Sequence, residues 1–366
     1  MFDNLLFHVQ DLKNYVLQFF SAWGVPEIDA RIAADVLVAA DLRGINSHGV
    51  IRLHSYYGDR LRNGQIDPLS PLTVLNESAA TLALDGGNGL GQVVAYRAMS
   101  RCITLADEAG LAVTTVRNSN HFGIAGYYAM MALPENMIGI SLTNSRPLVT
   151  ATYALKPVLG TNPIAVAVPA GEERPYVLDM ATSIVPRGKV AVYQKAGQAV
   201  PDGWGINQEG HTTQKPEEIL EGGALLPLGG SAEMRGYKGY GLSLLVDLLS
   251  GVLSGAAFGP AVGAPGSNQN ANVGHFFAAI KIENFRPIEA FKADMDNMIR
   301  NLKTTEKIPG QGRIYIHGEK EFERAEHCQK EGVPLMKEVV ESLKKAGDAT
   351  GIPFDLEPIG ETGPGQ

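Results

Sequence analysis

Between residues 73 and 316, short apolar runs rich in β-branched residues alternate with helix-forming segments, and this alternation strongly constrains the fold. Residues 111–116, Leu-Ala-Val-Thr-Thr-Val, are typical of a buried strand. Residues 73–76 and 81–85 are predicted to form a hairpin. Further strands are predicted at 138–143, 164–168, 177–179, 275–283 and 313–316, and helices near 91–108, 124–132, 187–196, 240–257 and 287–302. The alternation predicts an α/β or α+β core with a mixed sheet.

The first seventy residues have a different pattern and are predicted to be entirely helical. Apolar residues recur at helical spacing over 9–22. Pro26 is well placed to begin a second helix, which ends at Gly44, and residues 50–61 continue the helical pattern. The predicted organisation is a helical subdomain over 1–72, a mixed-sheet core over 73–302, and a C-terminal region over 303–366 that packs back on the core.

Three segments show neither the helical nor the strand pattern of apolar residues and are interpreted as loops. Residues 197–236 are expected to form a long surface loop carrying Trp204, residues 259–272 a second loop, and the chain past Gly351 a frayed terminus. The segment 240–257 is almost wholly apolar. It is short for a membrane span and contains Asp247, so we expect a core helix.

Composition excludes several classes of protein. Of 366 residues, 45% are hydrophobic and 19% charged, which indicates a globular protein. A net charge of −8 provides no basic surplus for binding nucleic acid. The two cysteines, Cys102 and Cys328, exclude a disulfide framework and any multi-cysteine metal site, and no metal ion is expected. The first residues do not resemble a secretory signal, so a cytoplasmic protein is expected.

Residues 41–52 contain a group of residues suited to proton transfer. Ser47 and His48 lie between two helical patterns, and Arg52 follows four residues after the histidine. If a helix begins at residue 46 or 47, His48 and Arg52 share one face. Histidine can move a proton while arginine binds a carboxylate through two hydrogen bonds. The alternative interpretation is that Ser47 only caps a helix and Arg52 is an exposed surface charge.

Common cofactor motifs are absent. The glycines at 86–91 do not match G-x-G-x-x-G, because Gln92 stands where the third glycine is required. The chain also contains no Walker A sequence, no H-E-x-x-H and no G-x-S-x-G. The sequence therefore does not support a nicotinamide enzyme of the Rossmann type.

Polar segments instead occur at the ends of several predicted elements. They are 118–123 (Asn-Ser-Asn-His-Phe-Gly), 143–147 (Thr-Asn-Ser-Arg-Pro), 160–163 (Gly-Thr-Asn-Pro), 179–183 (Asp-Met-Ala-Thr-Ser) followed by 187–189 (Arg-Gly-Lys), and 236–241 (Gly-Tyr-Lys-Gly-Tyr-Gly). One such segment would ordinarily be a turn. Five at element ends favour a shared concave site.

Together with Ser-His-Gly-Val-x-Arg at 47–52, these segments resemble the type-2 malate/L-lactate dehydrogenase family from about residue 5 to 340. That family includes sulfolactate and ureidoglycolate dehydrogenases, 2,3-diketogulonate reductase and piperideine-2-carboxylate reductase. The resemblance implies a non-Rossmann α/β fold, a homodimer, and binding of NAD, with NADP as the alternative.

The resemblance also implies roles for individual residues. His48, aided by Ser47, or else His121 would exchange the proton with the substrate. Arg52, Thr161 and Arg187 are the expected substrate contacts. The expected dinucleotide contacts are Ser145, Asp179, Met180, Ala181, Lys238, Arg313, His317, Gly318 and Glu319. Lys189 stands where some relatives have a carboxylate, and His317 stands where a proline is common.

The sequence therefore predicts an oxidoreductase that transfers hydride between a nicotinamide cofactor and a small 2-hydroxy or 2-oxo acid, with malate as the expected substrate. The alternatives are a related oxo or cyclic imino acid, or a non-catalytic binding protein on the same fold. Neither nucleic acid nor a membrane is an expected partner.

Overall fold

The computed structural model describes residues 4–264, 266–267 and 269–362. The strands are β1 Asn4–Phe7, β2 Thr73–Glu77, β3 Thr81–Asp85, β4 Leu111–Ser119, β5 Met137–Thr143, β6 Val149–Thr150, β7 Pro157–Leu159, β8 Ile164–Val168, β9 Tyr176–Met180, β10 Gly205–Ile206, β11 Ala224–Leu225, β12 Val273–Lys281, β13 Val333–Met336 and β14 Gly360–Thr362. The helices are α1 Val9–Ala22, α2 Glu27–Leu42, α3 Asp59–Arg62, α4 Gly91–Ala109, α5 Ala125–Met130, α6 Arg187–Lys195, α7 Pro216–Leu220, α8 Tyr237–Asp247, α9 Ile288–Thr304, α10 Glu319–Glu331 and α11 Lys337–Thr350.

A seven-stranded mixed sheet forms the centre of the molecule, in the order β2-β3-β4-β12-β5-β8-β9. Within it β3 and β4 pair in parallel, joined by α4, and the other described pairs are antiparallel. The predicted hairpin, the mixed sheet and the α/β class are confirmed. The strand predicted at 313–316 is wrong, because those residues have no regular structure and follow the surface between α9 and α10.

The N-terminal region is mostly helical, with two differences from the prediction. Strand β1 pairs with β13 and β14 from the other end of the chain. The segment after α2 is not one helix: it contains 3₁₀ turns at Asn46–His48 and Val50–Arg52, then a π turn at Leu53–Gly58. Wide π turns are often found at functional sites.

The C-terminal region packs on the N-terminal helices, and residues from both ends share one apolar core. Leu12, Phe19 and Leu37 are buried with Leu343 and Leu356. The prediction of a frayed tail past residue 351 is wrong as far as residue 362, because Phe354 packs on this core and β14 extends the β1 sheet. Residues 363–366 lie outside the described part.

Two loop predictions are corrected in detail. The segment 197–236 contains β10, β11 and α7, which join β6 and β7 in a four-stranded sheet. Trp204 is partly buried there against Tyr193. The segment 259–272 begins with a 3₁₀ turn at Gly259–Ala261.

The apolar segment after residue 236 is not a core helix. It forms α8 and a π turn, Leu248–Val252, and several of its large apolar side chains are exposed. None of the described helices combines the length and apolarity needed to span a membrane.

Candidate active site

A cavity of about 280 Å³ opens where the turns after α2 meet the ends of β4 and β5. The residues relevant to chemistry that line it are Ser47, His48, Arg52, Tyr56, His121, Ser145, Arg146, Thr161 and Arg187. The structure therefore brings together all the predicted catalytic and substrate-binding residues, although they come from four separate segments of the chain.

His48 lies on the first 3₁₀ turn, and its Nδ1 is 2.8 Å from the Ser47 hydroxyl. The prediction that His48 and Arg52 share a helical face is wrong, because the turn breaks at Gly49. Arg52 nevertheless lies beside the histidine, since its Nε donates to the Ser47 carbonyl at 2.8 Å. This bond leaves the two terminal nitrogens of the guanidinium available to a ligand.

Asp41, at the end of α2, holds the turn that carries His48. Its carboxylate is buried and accepts hydrogen bonds from the Val50 N–H at 2.8 Å and the Asn46 amide at 3.1 Å. A Cβ at Gly49 would lie 2.1 Å from the same carboxylate, so only glycine fits there. Burial raises the pKa of Asp41 to about 7. This residue was not predicted from the sequence, although a single acid at the end of the apolar run 36–42 was a visible signal.

His121 stacks on His48, with ring centroids 5.4 Å apart and planes at 20°. Its Nδ1 accepts the Gly123 N–H at 3.3 Å and lies 2.7 Å from the Tyr57 hydroxyl. A backbone N–H can only donate, so the neutral His121 ring carries its proton on Nε2. His121 is therefore arranged as a hydrogen-bond donor through Nε2.

The glycine-rich run at 86–91 supports the segment that carries His121. A Cβ at Gly91 would lie 2.2 Å from the Asn120 carbonyl and 2.3 Å from that of His121. The Asn120 amide donates to the Gly89 carbonyl at 2.9 Å. These glycines therefore serve a close approach of two backbones, which explains why they do not match a dinucleotide motif.

His275 connects the two strands whose ends form the cavity. From β12 it contacts the Thr143 hydroxyl through Nδ1 and the Ser119 hydroxyl through Nε2, each at 2.8 Å. Its ring stacks on Phe122 at 4.7 Å. The sequence predicts only that a strand begins at residue 275, whereas the structure shows that His275 links the ends of β4 and β5.

The three histidines are neutral at pH 7. Burial, and then the charge of Arg52, lowers the pKa of His48 to about 4. Burial and the neighbouring His48 and Arg52 lower the pKa of His121 well below its ordinary value. Burial lowers the pKa of His275 to about 3. A neutral imidazole can accept a proton, so the stacked pair is suited to acid–base chemistry.

The predicted cofactor residues divide between two cavities. Ser145 lines the first, where its hydroxyl accepts the Thr161 N–H at 3.1 Å. A second cavity of about 250 Å³ is lined by Asp179, His317 and Gly318. Met180 and Ala181 lie between the two cavities. Asp179 before them lines the second cavity, and the N–H of Thr182 after them donates to the carbonyl of Thr161, which lines the first.

The remaining predicted cofactor residues are placed less directly. The first turn of α8, with Lys238, packs on Leu228, whose N–H donates to the Thr182 carbonyl. Glu319 is buried and paired with Lys303 and Arg313, and it accepts the Ile316 N–H at 3.1 Å. Arg313 and Glu319 thus stabilise the turn before α10. Neither residue is among the described residues that line the two cavities.

Lys189 and His317, the two residues that differ from a common pattern of the resembled family, are not among the described residues that line the first cavity. Lys189 points toward the Tyr193 ring, 5.8 Å from its centroid. His317 contacts Tyr176 edge to face at 5.6 Å, and its carbonyl accepts the Val177 N–H. The turn at 317–319 therefore forms with histidine in the first position.

The positive charge of the first cavity suits an anionic cofactor such as a dinucleotide. Residues 180–182, at the end of β9, lie between the two cavities. The first cavity contains three arginines, and its described lining residues include no Asp or Glu. At Gly318, with φ of +94°, a Cβ would meet Val177 at 2.9 Å, so the backbone there approaches β9 closely. The residues present are therefore compatible with an anionic cofactor that extends across the end of β9.

Comparison with known proteins identifies the family. The family model described as malate/L-lactate dehydrogenase matches residues 7–344. The chain belongs to this family. Malate dehydrogenase of Pyrococcus horikoshii is 48% identical over 342 residues, which cover 93% of this chain and 94% of that protein.

Solved structures of the malate/L-lactate dehydrogenase family have the same fold. Malate dehydrogenase of Entamoeba histolytica superposes with a TM-score of 0.92 at 37% identity, covering 96% of this chain and 99% of that one. Sulfolactate dehydrogenase of Methanocaldococcus jannaschii has a TM-score of 0.87 at 36% identity, covering 95% and 98%. The predicted family, fold and oxidoreductase class are confirmed.

Proposed function

We propose that this protein is an NAD-dependent dehydrogenase of small 2-hydroxy acids, with malate as its principal substrate. The observation that carries the proposal is the stacked pair of neutral histidines in a cavity lined by three arginines. Such a cavity binds an acid and can exchange a proton with its hydroxyl group. The malate dehydrogenases among its relatives support malate as the substrate.

In the proposed mechanism the substrate carboxylate pairs with Arg52, which is held by the Ser47 carbonyl. His48 donates Nδ1–H to the Ser47 hydroxyl, so that its Nε2 lone pair accepts the proton of the substrate hydroxyl. His121 donates Nε2–H to the same oxygen and holds it in place. A nicotinamide cofactor held near Ser145 and Asp179 would supply the acceptor for the C2 hydride. The close approach of the two rings disfavours charging both imidazoles together. Oxidation of the hydroxyl group releases one proton, which His48 takes up and then passes to solvent.

We propose that the second cavity holds the adenosine end of the cofactor and favours NAD. Asp179 and Glu321 line it, and carboxylates would repel a 2′-phosphate. The cations there are engaged with rings: Arg43 lies 4.7 Å from the Phe322 centroid, and Lys320 lies 4.3 Å from that of Tyr315. Asp179 is exposed in this cavity, and its carboxylate accepts a hydrogen bond from the Gly126 N–H at 2.7 Å.

We also propose that the protein is a homodimer. On α8 and the following π turn, large apolar side chains are exposed at Leu245 (46%) and Leu253 (60%). Contiguous exposed apolar surface of this kind is typical of a protein interface. The same segment packs against β4 and β12, which reach the first cavity, so the interface would border the active site.

The decisive experiment is absorbance at 340 nm with purified protein, L-malate and NAD, followed by a panel of 2-oxo acids with NADH and NADPH. We expect reduction of NAD by malate, and kcat/KM for NADH above that for NADPH. A protein that bound these ligands without turnover would contradict the proposal. A strong preference for NADPH would contradict only the assignment of the cofactor.

A further inference from the structure

Arg146 lines the first cavity from the loop that follows β5, directly after Ser145, and no role was predicted for it from the sequence. It is half-buried, and its guanidinium has no hydrogen bond or ion pair with the described residues. The other two arginines of the cavity are already engaged, Arg52 through the Ser47 carbonyl and Arg187 through the Leu220 carbonyl.

Arg146 is part of a cluster of positive charge at the histidine end of the cavity. Burial, and then the charges of Arg187 and Arg52, lower its pKa. Arg60 is buried behind Tyr56, 5.1 Å from the ring centroid, and adds a fourth guanidinium. Its nitrogens have no hydrogen-bond partner among the described residues. A partly buried charge without a partner is costly, so the cluster calls for a ligand with more than one negative charge.

The position of Arg146 separates its role from that of Arg52. Arg52 is fixed beside Ser47 and His48, where the carboxylate next to the reacting carbon must bind. Arg146 lies on a different segment of the chain, the loop that follows β5, and lines the cavity from there. Two guanidinium groups on different elements suit the two ends of one short diacid.

We propose that Arg146 is a specificity-determining residue that binds the second acidic group of a four-carbon 2-hydroxy dicarboxylic acid. This inference rests on the proposed dehydrogenase function and adds the residue that would distinguish dicarboxylic from monocarboxylic substrates. A charged group on the protein that pairs with one end of the substrate discriminates strongly against analogues that lack that end.

The test is Arg146→Gln assayed with NADH against oxaloacetate, pyruvate and 2-oxobutyrate. We expect kcat/KM for oxaloacetate to fall about 10- to 100-fold, the usual effect of losing a charge-assisted hydrogen bond. The values for the two monocarboxylic acids should change by less than about threefold, because they lack the group that Arg146 would bind. Arg146→Lys should recover part of the loss, since an ammonium keeps the charge without the paired geometry.

Arg31→Gln is the matched control, because it removes the same charge from an exposed position on α2. The inhibition constant of oxamate, which has one carboxylate, gives a second measure that needs no turnover of pyruvate. It should be the same in Arg146→Gln and the parent protein. Thermal midpoints show that each variant is folded.

Equal losses for oxaloacetate and the monocarboxylic acids would overturn the inference. The inference would also be overturned if the KM for NADH rose while the ratio of kcat/KM for oxaloacetate to that for the monocarboxylic acids stayed unchanged. That result would place Arg146 against the cofactor. If the parent protein turns over none of these acids, the proposed function itself fails, which is a distinguishable result.

Discussion

Asp41 and Gly49 together fix the turn that places His48 in the cavity. In Asp41→Asn, one oxygen can still accept the Val50 N–H, but the new amide faces the donor amide of Asn46. We expect kcat to fall about 10- to 100-fold with little change in KM, because small displacements of a catalytic group have effects of this size. Steady-state kinetics with malate measures both constants.

The double variant Asp41→Asn/Asn46→Asp provides the control. It exchanges donor and acceptor between the two positions and restores the hydrogen bond of 3.1 Å that links them. We expect it to recover most of the lost kcat. A double variant as impaired as Asp41→Asn would mean that the charge at residue 41 matters in itself, and not the position of the turn.

The two stacked histidines are distinguished by the pH dependence of malate oxidation. The pKa of His48 is about 4, so it is neutral and able to accept a proton at higher pH, and kcat/KM should fall as the pH drops toward that value. We expect His48→Ala to lower kcat roughly 10²- to 10⁴-fold and to abolish this acid limb. His121→Asn should keep the limb, since asparagine can still donate a hydrogen bond. The opposite result would exchange the two roles.

At the scale of elements, His275 on β12 holds the ends of β4 and β5 together. Its pKa is lowered to about 3, so the unfolded chain takes up a proton near pH 6.5 whereas the folded protein does not. The free energy of unfolding must therefore decrease as the pH falls below 6.5. Between pH 7 and pH 5 this one group accounts for about 2 kcal/mol.

The variant His275→Gln should be less stable at pH 7 but should lose about 2 kcal/mol less than the parent protein between pH 7 and pH 5. Urea denaturation at fixed protein concentration measures the difference. His327→Gln, on an exposed part of α10, is the matched control. An unchanged pH dependence in His275→Gln would show that the buried ring is protonated well above pH 5.

Most individual elements could be predicted from local patterns, and the exceptions have physical causes. Helix α1 has the predicted bounds, because its apolar stripe repeats at 3.6 residues and Gly24 follows it. The helix predicted over 50–61 is divided into a 3₁₀ turn, a π turn and the start of α3. Its first N–H, that of Val50, is bound by Asp41 from outside the segment. Local periodicity carries no information about such a distant contact.

At the scale of the whole molecule, the exposed apolar surface of α8 predicts a dimer. We expect Leu245→Asp/Leu253→Asp to be monomeric by light scattering and to lose most of its activity, because a charge at the interface would be desolvated without a partner. Ile308→Asp is the control, since that side chain is 77% exposed on another surface. A monomeric parent protein with full activity at assay concentration would end this proposal.

The sequence by itself determined the α/β class, most of the strands and helices, and the family, because these depend on periodicity and on motifs whose residues are close in the chain. It also singled out Ser47, His48, Arg52 and His121 as candidates, and these four residues line one cavity. Only the tertiary structure decided how these residues meet, which of them are neutral, and that Asp41, His275 and Arg146 belong to the same site. Those features depend on burial and on contacts between residues up to 156 positions apart, which no local pattern records.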